Sequence, residues 1–125
     1  MLHRNFSWAP SNLGTWSVDN RTSPFRIVGT GQNLRIEYRI PGGDVNQYIC
    51  YSAMIASGLN GIQKKIEPPK IVKGCSYSMD EFVRPPSDLY SAVKLFKESE
   101  LLKQTLGEDV HEHYTKFYMN EAMVI

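Results

Sequence analysis

The chain is poor in cysteine: two in 125 residues, Cys50 and Cys75, with no Cys-x-x-Cys spacing. Two thiols are too few for a disulfide framework, so both read as reduced, which fits a cytoplasmic protein. An excess of either charge is also missing: fourteen Lys and Arg stand against thirteen Asp and Glu, a formal net charge of +1. That balance excludes a strongly basic nucleic-acid binder by composition, and equally an acidic disordered tail. No apolar run approaches the roughly 18 residues of a membrane span, and Met1-Leu2-His3-Arg4-Asn5-Phe6 has no apolar core of a secretory signal. The sequons Asn5-Phe6-Ser7 and Asn20-Arg21-Thr22 therefore read as chance matches. What is present is 42% apolar residues, enough to bury a small core without disulfide or metal staples. The expectation is one soluble cytoplasmic domain with no nucleic-acid or membrane partner.

The pattern along the chain predicts an α+β fold, with antiparallel strands in the first ~40 residues and helices after them. Residues 13–18 and 25–28 are short runs suited to a pleated surface. Gly29-Thr30-Gly31-Gln32-Asn33 is a turn that lacks the Lys-Ser/Thr of a phosphate loop, and so reads as a hairpin turn. Residues 34–40 alternate: Leu34, Ile36, Tyr38 and Ile40 on one face, Arg35, Glu37 and Arg39 on the other, stopped by Pro41-Gly42-Gly43.

Asp44 is a candidate N-cap for a helix over 45–66, whose middle is apolar nearly all round and so predicts burial, with Cys50 inside it. Pro68-Pro69 closes it, and 70–86 is a polar loop. Leu89, Val93 and Phe96 mark a helix opened by Ser87 or Asp88; a short segment from Ser99 ends at Gly107; Val110, Tyr114, Phe117 and Tyr118 mark a last helix from Glu108. That helix meets Ile125 with no capping residue, so the chain is expected to be a piece of something longer, with Met1 equally arbitrary. His111-Glu112-His113 sets two histidines at i, i+2, which face apart on a helix, and predicts a surface face rather than a metal site. Tyr90, Tyr114 and Tyr118 read as packing residues.

Chemistry concentrates in the strand region. Arg35, Glu37 and Arg39 project roughly 6.6 Å apart from one face. Such a face is either the solvated side of an amphipathic strand or a wall where guanidiniums hold anions and a carboxylate holds a hard cation. With Arg21 and Arg26 just upstream, four arginines fall within nineteen residues and no lysine among them. Arginine's rigid fork suits bidentate phosphate or carboxylate binding better than lysine's point charge.

The order of these pieces resembles the C-terminal part of glutamine synthetase over nearly the whole chain. The carriers are Asn20-Arg21-Thr22, Arg26, Leu34-Arg35-Ile36-Glu37-Tyr38-Arg39-Ile40-Pro41-Gly42-Gly43-Asp44-Val45-Asn46, and Ser57-Gly58-Leu59-Asn60-Gly61-Ile62. The family shows Asn-Arg-Ser/Thr, an arginine five residues on, Arg-x-Glu-x-Arg-x-Pro, and Ala-Gly-Leu-Asp-Gly-Ile. The resemblance implies that residues 1–125 are the C-terminal portion of such a catalytic domain. It implies that Arg21, Arg26 and Arg35 surround the ATP phosphates and the transferred phosphoryl group, Arg21 with a catalytic role. It makes Glu37 a ligand of Mg²⁺ or Mn²⁺, and Arg39 the residue that binds glutamate. The implied reaction joins L-glutamate to ammonia or an organic amine, in a cytoplasmic homo-oligomeric ring whose sites lie between subunits.

Two departures qualify it. Where the family has Tyr-Glu-Ala-Pro, this chain has Ser7-Trp8-Ala9-Pro10, and Asn46-Gln47-Tyr48 lacks the family's proline. The glutamate missing at Trp8 binds ammonium and takes its proton, so Trp8 marks an amine site like that of relatives that ligate larger amines, or else a lengsin-like non-catalytic member. The family's other metal ligands are not in the chain either, so residues 1–125 alone are expected to be inactive. Tyr77 lies about where some bacterial members carry a regulatory adenylylated tyrosine, in different surroundings.

Overall fold

The computed structural model describes residues 14–78 and 83–124. They form two compact units rather than one. The first is drawn from residues up to Gly43 and from Pro68–Pro85; the second from Asp44–Glu67 and from Pro86 onward.

In the first unit three strands, β1 (Trp16–Val18), β2 (Phe25–Val28) and β3 (Arg35–Tyr38), form a sheet in the order β1-β2-β3. The α+β class holds, and β2 and β3 are antiparallel as expected, pairing Phe25 with Tyr38 and Arg26 with Glu37. The Phe25 and Tyr38 rings stack at 4.7 Å across that pair. The expectation of an all-antiparallel sheet is corrected at β1, which runs parallel to β2 with Trp16 beside Phe25. The reversal needed for an antiparallel hairpin does not occur. Asp19 takes a left-handed φ of +47°, and residues 19–24 carry the chain back to the start of the next strand.

Residues 68–76, read as a polar loop, run beside β1. The Val72 N–H bonds to the Trp16 carbonyl at 3.0 Å, the Ser17 hydroxyl donates to the Val72 carbonyl at 2.7 Å, and Trp16 Nε1 donates to the Pro69 carbonyl at 2.6 Å. What this unit buries is small: Thr15, Ser17, Ser23, Pro24, Val72 and Ser76. Helix 45–66 does not belong to this unit. Leu34 and Ile36 are exposed, Ile36 at 65%, while Tyr38 and Ile40 are half-buried. β3 is an edge strand, and the helix belongs to the second unit.

There α1 (Gln47–Gln63) is capped not by Asp44 but by Asn46. Asn46 is extended, and its Oδ1 accepts from the N–H groups of Tyr48 and Ile49 at 3.1 and 3.2 Å, satisfying two donors that a helix start leaves orphaned. The Asn46 Nδ2 also donates to the Tyr114 hydroxyl at 3.3 Å. The helix closes before residue 66. Lys65 turns left-handed at φ +51°, and the Ile66 N–H bonds back to the Gly61 carbonyl at 2.9 Å, a Schellman-type ending. The predicted burial of α1 is not found. It packs on α3 (Glu100–Leu106), while Tyr48, Tyr51, Ile55, Leu59 and Ile62 stand exposed, Tyr48 at 86%.

α2 (Leu89–Glu98) opens on Asp88, whose carboxylate accepts from the Ser91 N–H at 2.7 Å. α3 opens on Ser99 and ends at Gly107, φ +81°. α4 (Glu108–Val124) packs on α2 and α3. Its buried face carries His111 and Thr115, whereas Val110 and Phe117 are exposed. His111 therefore departs from the predicted surface position. Its ring stacks on Phe96 at 4.9 Å and its Nε2 lies 2.8 Å from the Phe96 carbonyl, so the polar atom is satisfied inside the helix contact. Tyr114 and Tyr118 stack at 6.1 Å as packing residues, but Tyr90 is exposed. Among the described residues no helix is long and apolar enough to cross a membrane.

The β2–β3 connection yields a stability prediction. Gly29 has φ +82°, and a Cβ there would collide with the Asn33 carbonyl. Gly29→Ala is expected to destabilise the first unit by about 2 kcal/mol or more, from the left-handed backbone and the collision together. Gly43→Ala, with open space and ordinary φ, is the matched control. Equal midpoints in urea for the two variants would refute the reading.

Candidate active site

The Asn20-Arg21-Thr22 triplet is a locked turn. Asn20 Oδ1 accepts from the Thr22 N–H at 3.0 Å and from the Thr22 hydroxyl at 2.6 Å, and its Nδ2 donates to the Gly74 carbonyl at 2.7 Å. The Thr22 hydroxyl accepts in turn from the Ser76 N–H at 2.9 Å, and the Ser76 hydroxyl donates to the Thr22 carbonyl. An Asx turn of this kind lets a side chain replace a backbone turn. Both flanking side chains are spent on the turn, and Arg21 between them is exposed. The sequon thus has a structural reason. An open hollow of about 530 Å³ lies here, lined by Asp19, Asn20, Arg21, Thr22, Gly74 and Cys75.

The sheet supplies the rest. Because Arg26 pairs with Glu37, their side chains stand together on one face. Arg26 Nη1 donates to Glu37 Oε2 at 3.0 Å, and Arg39, two residues further on β3's face, brings Nη1 to 3.8 Å from the same oxygen. The other end of the Arg26 fork, Nη2, bonds to Asp19 Oδ1. The Arg26 side chain is only 12% exposed, and the Nε atoms of Arg26 and Arg39 are buried with no hydrogen-bond partner among the described residues.

The five residues singled out in the sequence are not equally close. Arg26, Glu37 and Arg39 form one ion-paired cluster; Arg21 acts on it through its charge; Arg35 shares the alternation of its strand but donates to the Asn33 carbonyl at 3.2 Å. Trp8 lies outside the described residues. Asp19 is not among those five: its N–H bond to the Ile27 carbonyl at 2.9 Å sets it beside Arg26, a contact that no sequence motif marks.

Glu37 is held ionised. The hydrogen bond from Arg26 is the main cause lowering its pKa, opposed by desolvation and aided by the charges of Arg26, Arg39 and Arg21. The same bond from Glu37, and then that from Asp19, raise Arg26. One carboxylate between two guanidiniums does not make a metal site by itself, and the described residues contain no group of three or more His, Cys, Asp or Glu that could hold an ion. A larger hollow of about 660 Å³ among the helices is lined by Lys97, Lys103 and Lys116 facing Glu100, Glu108 and Glu112, and the Lys103–Glu108 pair at 3.3 Å shows how these charges neutralise one another.

The family model described as glutamine synthetase, catalytic domain, matches residues 3–124. The chain belongs to that family. It is 42% identical over 108 residues to gamma-glutamylethanolamide synthetase GlnA4 of Streptomyces coelicolor, covering 86% of this chain and 23% of the relative. It is 38% identical over 113 residues to glutamate–isopropylamine ligase of a Pseudomonas species, covering 88% and 24%, and 35% identical over 107 residues to glutamine synthetase of Clostridium saccharobutylicum, covering 79% and 24%. The chain therefore spans about a quarter of the length of these curated relatives.

The ionised Glu37 gives a measurable sign. A carboxylate whose folded pKa is depressed contributes stability above its unfolded pKa, and that contribution is lost as pH falls through the folded value. NMR titration of the Glu37 side chain is expected to show a midpoint below the usual ~4.3 of a free glutamate. In Arg26→Gln the midpoint should move upward, since the leading cause is removed. An unchanged midpoint in that variant would disprove the assignment.

Proposed function

We propose that this chain is the C-terminal portion, residues 1–125, of the catalytic domain of an ATP-dependent glutamate–amine ligase that forms a γ-glutamyl amide through γ-glutamyl phosphate. The observation that carries the reading is the convergence of Arg26, Arg39 and the charge of Arg21 on Glu37, in a chain of the glutamine synthetase family. In the first step a γ-carboxylate oxygen of glutamate attacks the γ-phosphorus of ATP, and ADP leaves with the bond's electron pair. In the second an amine nitrogen attacks the γ-carbonyl carbon, phosphate departs, and the nitrogen loses a proton.

The chemistry asks the protein for position and charge rather than for a nucleophile. Arg21, Arg26 and Arg35 hold phosphate oxygens, with Arg21 placed to meet charge on the transferred group. Arg39 holds a substrate carboxylate. Its buried Nε and that of Arg26 are donors that such an anion would satisfy. Mg²⁺ or Mn²⁺ belongs to the same reading with Glu37 as one donor, the remaining donors lying outside the described residues. A homo-oligomeric ring and a cytoplasmic setting complete the proposal.

The amine is read from Trp8. Ammonium must lose a proton before it attacks, and an indole cannot accept one. It can pack on the methylenes of an alkylamine or sit over its cationic head. The polypeptide as encoded is expected to prefer ethanolamine or isopropylamine to ammonium in kcat/KM by about tenfold or more, and Trp8→Glu to shift preference toward ammonium by a comparable factor. Phosphate release with ATP and glutamate measures both. Residues 1–125 alone should release none above a blank. A wild-type preference for ammonium would sink the role of Trp8, and turnover by the 125-residue chain would sink the incompleteness of its metal site.

A further inference from the structure

Arg26 has two carboxylate partners, and they differ. Glu37 shares one oxygen between Arg26 and Arg39, while Asp19 bonds to the opposite end of the Arg26 fork. The backbone shows how Asp19 is aimed. Its φ of +47° is left-handed, a conformation uncommon outside glycine and reached most readily by Asn and Asp, and its N–H bonds to the Ile27 carbonyl at 2.9 Å. Asp19 is thereby pinned beside the residue that follows Arg26. Its side chain is 71% exposed, and an ion pair so open to water adds little to stability. The same left-handed turn that carries the chain from β1 towards β2 thus sets the Asp19 carboxylate against Nη2 of Arg26.

We propose that Asp19 is a positioning residue for Arg26, holding the guanidinium by Nη2 so that its remaining N–H groups meet the nucleotide phosphates. The inference rests on the ligase reading above. With carboxylates on both Nη atoms, the plane and the rotation of the fork are fixed. With Glu37 alone, the guanidinium pivots about the Nη1 contact, and a bidentate phosphate contact is lost through misplacement.

Asp19→Asn removes the charge and keeps the size and the tolerance for left-handed backbone. Its sign separates two mechanisms. If Asp19 merely repelled phosphate, the variant would bind ATP more tightly; positioning requires weaker binding. In the polypeptide as encoded, Asp19→Asn is expected to raise the KM for ATP about fivefold and lower kcat about tenfold, with the KM for glutamate and the melting temperature unchanged. Calorimetry with ATP alone should show the same weakening. A KM for ATP at or below the wild-type value overturns the proposal. So does a parallel rise in the glutamate KM with a lower melting temperature, which would make Asp19 merely structural. Arg21→Gln and Arg35→Gln probe the underlying reading. If neither weakens ATP, or the wild type releases no phosphate from ATP, the ligase reading falls and the role of Asp19 with it. If they weaken ATP and Asp19→Asn does not, only the role of Asp19 falls.

Discussion

Arg26 stands on the middle strand of a three-stranded sheet, and its guanidinium reaches both sides at once: to Glu37 on β3 through Nη1, and to Asp19 beyond β1 through Nη2. Few other side chains have donors in a fork wide enough to do this. The pairing of Arg26 with Glu37 depends on strand register. A slip by one residue would send Glu37 and Arg39 to the opposite face and take from Arg26 its charge partner on β3. Register, ion pairs and the ionised state of Glu37 are thus one constraint seen three ways.

Around that cluster the first unit is held by hydrogen bonds more than by apolar bulk. Among the described residues its buried apolar side chains are Pro24 and Val72, beside the buried Thr15, Ser17, Ser23 and Ser76. Small hydroxyl residues let residues 68–76 lie close along β1, and each bond they make fixes a direction as well as a distance. The Asn20–Thr22–Ser76 relay shows the consequence: two side chains are used to immobilise a turn, so that the exposed arginine between them keeps a defined place. Thr15 and Ser23 keep buried hydroxyls with no partner among the described residues.

The second unit shows where local rules suffice and where they stop. The starts of α2 and α3 at Asp88 and Ser99, and the stop at Gly107, are legible because capping is local: an oxygen reaches an N–H two or three residues away, and a left-handed φ suits glycine. Asp44 and Asn46 are both residue types that cap helices, and α1 starts at Asn46 because that is the one followed directly by helical backbone. His111 was read as a surface residue from its spacing to His113. Its burial follows from the packing of α4 on α2, where an imidazole can both stack on Phe96 and bond its carbonyl. α1 is as apolar as its composition implies yet carries exposed Tyr48, Tyr51, Ile55, Leu59 and Ile62, because among the described residues of its own unit none covers that side.

The sequence by itself determined the α+β class, the alternation that sets Arg35, Glu37 and Arg39 on one side of a strand, most helix boundaries, and, through the order of its motifs, the family. These are properties of neighbours within a few residues, where periodicity and side-chain geometry leave little choice. Packing between distant residues alone settles that β1 runs parallel to β2, that Asp19 reaches Arg26, that residues 68–76 lock the Asn20 turn, and which arginines share Glu37. Apart from Arg39 and Glu37, two positions apart on one strand run, those contacts join residues up to 54 positions apart. A pattern of residue types carries no distance across such separations, and strand order and register supply it.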